Sequence, residues 1–202
     1  MKNRKVIFTT KWITTTAIMT ALVVATNFIP AIPTPAGRIY WVDGIVLIAA
    51  FLLDPLAAFI SGGIGSLLYD VFMSPSMMLP SLIIHGLQGA AVSALIHYVF
   101  PNTFKKWEWV KAIIFSIVGA VIVVLGYFAY RSITSGVPYA VTNIPRNIIQ
   151  ELIGISIAVV LCYATTFKSQ LEKNHLLPDF KKEILKPKTE DTEETENEET
   201  AL

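Results

Sequence analysis

Residues 43–70 read DGIVLIAAFLLDPLAAFISGGIGSLLYD, and this stretch decides the fold. It contains three charged side chains, Asp43, Asp54 and Asp70, and no alternation of polar and apolar residues. A membrane-spanning β-barrel would alternate with a period of two, so the apolar runs predict helices. The Asp54-Pro55 pair divides them at 39–54 and 55–73, because proline begins a helix more readily than it continues one. The stretch therefore predicts two consecutive membrane helices.

Four more apolar stretches surround this pair, at about 13–30, 77–100, 111–131 and 146–167. Each approaches the ~20 residues that cross the hydrocarbon core of a bilayer. The 202-residue chain is 53% hydrophobic and 15% charged, with a mean hydropathy of +0.57, whereas average soluble proteins carry about 25% charged residues. We predict an all-α integral membrane protein with six transmembrane helices in residues 13–167.

The charged residues flank this domain, as a basic leader at 1–12 and a charged tail at 168–202. The leader is followed by no small-residue cleavage site, which argues against a cleavable signal peptide. The tail holds six Lys and ten Asp/Glu from residue 167 onward, and we expect it to be largely disordered in the cytoplasm. A docking role for the tail is the alternative.

The distribution of Lys and Arg predicts that both termini are cytoplasmic. With the N-terminus inside, eleven basic residues up to Lys182 fall in cytoplasmic segments and three, Arg38, Arg131 and Arg146, fall in outer loops. Cytoplasmic loops of membrane proteins carry the excess of positive charge.

Polar side chains within the predicted helices collect in the outer half of this topology. Residues three and four apart share a helical face, so His85 and Gln88 lie on one stripe, and Asn147, Gln150 and Glu151 on another within the first ~8 Å of the sixth helix. Polar groups in hydrocarbon cost a few kcal/mol unless they face a partner or a cavity. We interpret the set as an outward-facing pocket for a small molecule.

Two alternatives to the pocket are open. The polar groups are helix-to-helix hydrogen bonds in the first. In the second, the outer carboxylates Asp43, Asp70 and Glu151 pair with the arginines of the outer loops.

The first helix carries a strip of small residues, Ala17, Ala21 and Ala25, at intervals of four. Small residues at this spacing let another helix approach closely. The strip could therefore form a close helix–helix contact, and on spacing alone chance or internal packing is the alternative to a dedicated contact surface.

Several of these features together resemble the substrate-binding S component of an energy-coupling factor (ECF) vitamin transporter. They are the basic leader, the alanine strip, the Pro/Gly-bearing loop at 30–40, the run 43–70 with its Asp-Pro corner and Gly-rich helix, and His85-Gly86-Leu87-Gln88-Gly89. The resemblance covers residues 10–167 and supports six helices.

The resemblance implies a protein of a prokaryotic plasma membrane that catalyses no reaction. It would bind a vitamin beneath the loop between helices 1 and 2, and dock through Ala17, Ala21 and Ala25 onto a membrane-embedded coupling subunit driven by two ABC ATPases. The sequence lacks the phosphate-binding loop G-x-x-x-x-G-K-[ST], which agrees with ATP hydrolysis on partner subunits. We expect no catalytic residue, cofactor, metal or nucleic acid.

The residue types predict a small nitrogen heterocycle bearing hydroxyls, recognised by ring stacking and directed hydrogen bonds. Within the family, the sequence resembles most the members assigned to pyridoxine-like or hydroxymethylpyrimidine-like compounds, and the resemblance implies riboflavin next. A metal ion fits less well, because the metal-transporting branch uses an N-terminal His-rich set and no His precedes His85. The predicted substrate-binding residues are Trp41, Asp43, His85, Gln88, Tyr139, Asn147, Gln150 and Glu151.

Two other classes of protein are alternatives to this interpretation, a membrane enzyme and a stand-alone secondary transporter. A membrane enzyme would need a nucleophile with a base, or a metal motif such as H-E-x-x-H, which the sequence lacks. A stand-alone secondary transporter would place coupling carboxylates at the midplane and often shows an internal repeat. The secondary transporter is the alternative function.

The charge distribution generates a topology prediction. Tags placed at residues 1 and 202 should both resist external protease in intact cells, while a cleavage site inserted in the loop at 30–40 should be cut. Immunoblotting of both tags measures this. External cleavage of either terminal tag would overturn the six-helix assignment.

Overall fold

A computed structural model describes residues 9–35, 37–101, 107–174 and 176–177. Within these residues the chain is helical apart from one short hairpin. The elements in chain order are α1 Thr10–Asn27, β1 Ile32–Thr34, β2 Gly37–Ile39, α2 Val42–Leu52, α3 Pro55–Met73, α4 Pro75–Val99, α5 Glu108–Ser135, α6 Val137–Ala164 and α7 Phe167–Lys173. α3, α4 and α6 each include a π-helical turn, and α4 opens with a 3₁₀ turn.

The predicted all-α membrane class is confirmed. Among the described residues, four helices, α3 to α6, are long and apolar enough to cross a bilayer. α2 is apolar but has 11 residues, and α1 has 18 residues interrupted by threonines. The count of six spans and the side on which the termini lie stay predictions. Most of the leader and of the tail lies outside the described residues, and the start of the tail forms α7.

α6 begins nine residues earlier than the apolar pattern indicated. The apolar pattern predicts that the sixth helix begins at residue 146, because Pro145 and the polar residues before it are typical of a loop. In the structure, Pro138 stands in the first turn and Pro145 lies inside the helix. Membrane helices tolerate an internal proline when neighbouring groups satisfy the freed carbonyl. Glu151 therefore lies about 20 Å from the start of α6, near its middle, instead of within the first ~8 Å.

α2 forms the centre of the bundle. Every residue from Val42 to Leu52 except Ile45 is buried, and the helix packs against α1, α3, α4 and α6. A helix that is apolar on all sides belongs inside a bundle. At its end, the Asp54 carboxylate accepts hydrogen bonds from the backbone N–H of Leu56, at 2.9 Å, and from the Trp12 indole. Asp54 therefore caps α3 and ties the α2–α3 corner to α1.

Glycines bring α3 and α4 into backbone contact. A methyl group added at Gly62, Gly63 or Gly89 would lie 2.6–2.7 Å from a backbone carbonyl oxygen of the facing helix. Close approach through small residues is a general means of packing membrane helices. This contact places the first turns of α4 beside the end of α3.

The alternating directions of the helices bring one set of ends together. The end of α1, the β1–β2 hairpin, the starts of α2, α4 and α6 and the ends of α3 and α5 meet at one side of the bundle, which we call the hairpin end. In the hairpin, Ile32 pairs with Ile39 and Thr34 with Gly37. This arrangement brings residues from each of the helices α1 to α6 around one cavity.

Candidate substrate-binding cavity

A cavity of about 180 Å³ lies at the hairpin end. β2 and each of the helices α1 to α6 contribute to its wall. The lining residues include Asn27, Arg38, Tyr40, Tyr69, Asp70, Ser81, His85, Tyr127, Arg131, Arg146, Asn147 and Gln150. A cavity with this many convergent polar groups is suited to a small polar ligand.

His85 joins three helices at the floor of the cavity. Its Nδ1 lies 3.2 Å from Oδ1 of Asp43 on α2 and 3.2 Å from Oε1 of Gln88 on its own helix. Its Nε2 lies 3.1 Å from the hydroxyl of Tyr127 on α5, which is 2.9 Å from Oγ of Ser81. The imidazole is buried, so these contacts replace the water that it would otherwise need.

Two carboxylates lie behind His85, each held by a glutamine amide. Gln88 Nε2 donates to both carboxylate oxygens of Glu151, at 3.1 and 2.9 Å. Gln150 Nε2 donates to Oδ2 of Asp43 at 2.6 Å. Asp43 and Glu151 are 0% and 1% exposed, so they depend on these partners.

Gln150 also connects this network to the loop above the cavity. Its Oε1 accepts a hydrogen bond of 3.0 Å from the backbone N–H of Tyr40, between β2 and α2. The same loop is held by Trp41, whose Nε1 donates to the Pro30 carbonyl at 3.1 Å. One side chain of α6 therefore links the loop to the buried Asp43.

Three arginines face the cavity from its rim. Arg146 Nη2 donates to Oδ1 of Asn147 at 2.8 Å, and the Arg131 guanidinium carbon lies 5.6 Å from the ring centroid of Tyr139. Among the described residues, no ion pair joins Arg38, Arg131 or Arg146 to a carboxylate. The pairing of the outer carboxylates with these arginines, which the sequence left open, is not observed there.

The structure brings together six of the eight predicted site residues. His85, Asn147 and Gln150 line the cavity, and Asp43, Gln88 and Glu151 lie beneath it as partners of lining residues. Trp41 and Tyr139 are not in the lining: Trp41 braces the loop, and Tyr139, 45% exposed, stacks on Arg131.

Several lining residues are absent from the predicted set of substrate-binding residues, although Tyr40 was expected near the site as a stacking ring. Tyr127 and Arg131 stand four apart on α5, a spacing that could have shown a polar face at the end of an apolar helix. Tyr40 and Tyr69 come from separate elements, and their ring centroids lie 6.1 Å apart. Only the folded arrangement shows that these two rings share a wall.

The described residues contain no group of three or more His, Cys, Asp or Glu side chains that could hold a metal ion. The cavity wall offers hydrogen-bonding groups, charged groups and aromatic rings within a helical membrane domain. These properties are those of a helical membrane protein with a polar cavity.

The comparison with known families identifies the class of transporter. A model of the ECF-type riboflavin transporter S component family matches residues 7–166. The chain belongs to this family, which confirms the resemblance seen in the sequence. It is accordingly a multi-pass membrane protein of a transporter family.

The chain is also similar to individual proteins. The thiamine precursor transporter HmpT of Lactococcus lactis subsp. cremoris (strain MG1363) is 31% identical over 176 residues, covering 85% of this chain and 94% of that protein. An uncharacterized protein in a gap 3' region of Pyrococcus woesei is 30% identical over 145 residues, covering 70% of this chain and 92% of that protein. Both similarities extend over most of the membrane domain.

The double contact of Gln150 generates a prediction about the loop. Gln150→Leu keeps the volume of the side chain but leaves the Tyr40 N–H and the Asp43 carboxylate without this partner. The free energy of unfolding should therefore fall by about 1–3 kcal/mol. Hydrogen exchange followed by mass spectrometry should show faster exchange in a peptide covering residues 37–42.

Gln170→Leu is the matched control, because Gln170 is exposed on α7 and its side chain makes no hydrogen bond among the described residues. Exchange at 37–42 should be unchanged there. If Gln150→Leu also leaves this exchange unchanged, Gln150 does not hold the loop.

Proposed function

We propose that this chain is the substrate-binding component of an ECF-type ABC importer for a vitamin or vitamin precursor. The observation that carries the proposal is the polar cavity at the hairpin end, built by a chain of the S component family. In this proposal six helices span a prokaryotic plasma membrane, both termini are cytoplasmic, and the cavity opens to the outside.

The size of the cavity favours a small ring as substrate. At about 180 Å³ it is below the ~300–1,000 Å³ of typical sites for drug-sized ligands. We therefore rank a single-ring heterocycle such as hydroxymethylpyrimidine or pyridoxine above the three-ring riboflavin. The similarity to a thiamine precursor transporter supports the same order.

The predicted site residues take two roles in this proposal. His85, Asn147 and Gln150 contact the ligand, while Asp43, Gln88 and Glu151 hold those groups in place from below. Trp41 and Tyr139 belong to the site through the loop and through Arg131. The rings of Tyr40 and Tyr69 supply apolar surface for stacking.

The alanine strip is the proposed contact with the coupling subunit, which would be driven by two ABC ATPases. The strip lies on the exposed face of α1, at Ala17, Ala21 and Ala25. The other described helices of the chain do not cover it, so it is accessible to a partner. Exposed apolar residues such as Ile18 and Leu22 flank it.

The proposed ligand contacts generate a binding prediction. His85→Ala and Asn147→Ala should each weaken binding of the transported heterocycle by about 5- to 150-fold, because a buried ligand group loses its partner. Tryptophan fluorescence titration of the purified protein with hydroxymethylpyrimidine and with pyridoxine measures the affinity. Thermal unfolding without ligand is recorded in parallel.

Ser156→Ala is the control, since Ser156 lies on the exposed face of α6 and bonds only to its own helix. Asn147→Ala separates binding from packing most clearly, because its one side-chain hydrogen bond is with Arg146 within the described residues. Weakened stability with unchanged affinity in both variants would mean that the polar residues serve helix packing alone.

The alanine strip generates a second prediction. Ala21→Trp should abolish uptake in cells while leaving ligand affinity of the isolated protein nearly unchanged, because a bulky group prevents close helix approach. Leu22→Trp, also exposed but turned about 100° around the helix, is the control and should retain uptake. Equal loss of binding and uptake in Ala21→Trp would show that the strip packs within the chain.

A stand-alone secondary transporter is the second candidate. Glu151 lies near the middle of α6, with Asp43 buried beside it. Coupling carboxylates lie at the midplane of such carriers. This position therefore favours the alternative more than the position near the outer end that the sequence pattern predicts. Uptake by vesicles that contain this chain alone, driven by an ion gradient without ATP, would favour it over the ECF proposal.

A further inference from the structure

The rim of the cavity is more basic than an uncharged vitamin requires. Arg38, Arg131 and Arg146 all line it, against one lining carboxylate, Asp70. None of the three guanidinium groups forms an ion pair with a described carboxylate. The wall therefore carries positive charge that the described residues do not compensate directly.

Arg131 and Arg146 are half-buried in the wall of the cavity. The Nε atom of each is buried and has no hydrogen-bond partner among the described residues. The two positive charges thus line the same cavity. A buried donor without an acceptor and an uncompensated pair of cations each cost free energy, which an acceptor with negative charge would recover.

The hairpin lies directly against Arg146. Gly37 in β2 has a φ of +121°, and a methyl group built on it would lie 2.8 Å from Nη1 of Arg146. The backbone of β2 therefore approaches this guanidinium without an intervening side chain. Arg146 is thus packed between the hairpin and the cavity.

The cavity also holds groups of other kinds. Asp70 and Ser81 line it, together with His85, whose ring bonds to Tyr127. A ligand in the cavity thus meets cations, a carboxylate and neutral hydrogen-bonding groups. Such a lining suits a ligand that has an anionic group and a ring with donor groups.

We propose that Arg131 and Arg146 bind an oxyanion, a phosphate or a carboxylate, on the transported heterocycle. Planar guanidinium groups are suited to both, because their paired N–H groups match two oxygens at once. This inference rests on the proposed function and narrows its substrate class from a neutral heterocycle to an acidic one. Arg38, exposed on β2, would add charge at the entrance.

Matched ligands that differ in the anionic group test the inference. The probes are pyridoxine against pyridoxine 5'-phosphate and 4-pyridoxic acid, and hydroxymethylpyrimidine against its phosphate. Affinities are measured by titration calorimetry of the purified chain in a neutral detergent and a buffer free of phosphate and sulfate. An acidic member of a pair should bind at least about 10-fold tighter than its neutral partner. The phosphate and carboxylate arms show which oxyanion is preferred.

Variants then assign the preference to the two arginines. Arg131→Gln combined with Arg146→Gln should weaken the acidic probe by about 10- to 150-fold and change the neutral probe by less than about 3-fold. Arg131→Lys combined with Arg146→Lys keeps the charge but loses the paired N–H geometry. The affinity of this variant for the acidic probe should therefore lie between those of the parent and of the glutamine variant. Lys173→Gln, on the exposed face of α7, is the control for loss of a positive charge outside the cavity and should change neither affinity.

The outcomes separate this inference from the proposed function. Tight binding of neutral heterocycles with no acidic preference, or equal losses for both probes in the glutamine variant, overturns the inference and leaves the proposed function standing. If no probe of either pair binds, the proposed ligand class fails. Inorganic phosphate then decides: a rise in melting temperature that the glutamine variant abolishes supports the oxyanion site, and a rise that persists, or none, overturns it.

Discussion

The contact between His85 and Asp43 is the constraint on which the rest of the structure depends. Asp43 lies at the start of α2, the central helix, where no water is available to solvate a carboxylate. Its neighbours must therefore supply the polar atoms, and they do so from α4 through His85 and from α6 through Gln150. Gly154 allows the approach, since a methyl group there would lie 2.8 Å from Cβ of Asp43. One buried acid thus fixes three helices relative to one another.

The cavity is a consequence of that arrangement. Helices held together at Asp43 leave room above it, where the ends of α1, α3 and α5 and the hairpin complete the wall. The other end of the bundle is instead closed by apolar packing around Trp12 and Phe51 and by the Asp54 cap. The polar network and the cavity therefore share the same residues, because the groups that hold α2 also form the floor of the cavity.

The class of fold and the polar stripes could be predicted from the sequence because both rest on local patterns. Apolar length predicts membrane helices, and intervals of three and four place His85 with Gln88, and Asn147 with Gln150, on shared faces. The start of α6 could not be predicted from the sequence. A proline usually marks the boundary of a helix, and only the neighbouring helices of the folded chain make an internal proline acceptable. Nor could the sequence predict the shared wall of Tyr40 and Tyr69, which depends on a long-range approach of two elements.

Under the proposed function, the dual use of Gln150 makes the cavity selective for the hydrogen-bonding pattern of its ligand. Its amide already serves the Tyr40 N–H and the Asp43 carboxylate. A ligand that displaces either contact must replace it with a group of the same kind, or leave a buried donor or acceptor unpaired. Sites of this type reject analogues that lack a single polar group far more strongly than sites lined by apolar residues do. Ring size sets which molecules fit beneath the loop, and the glutamine then discriminates among those that fit.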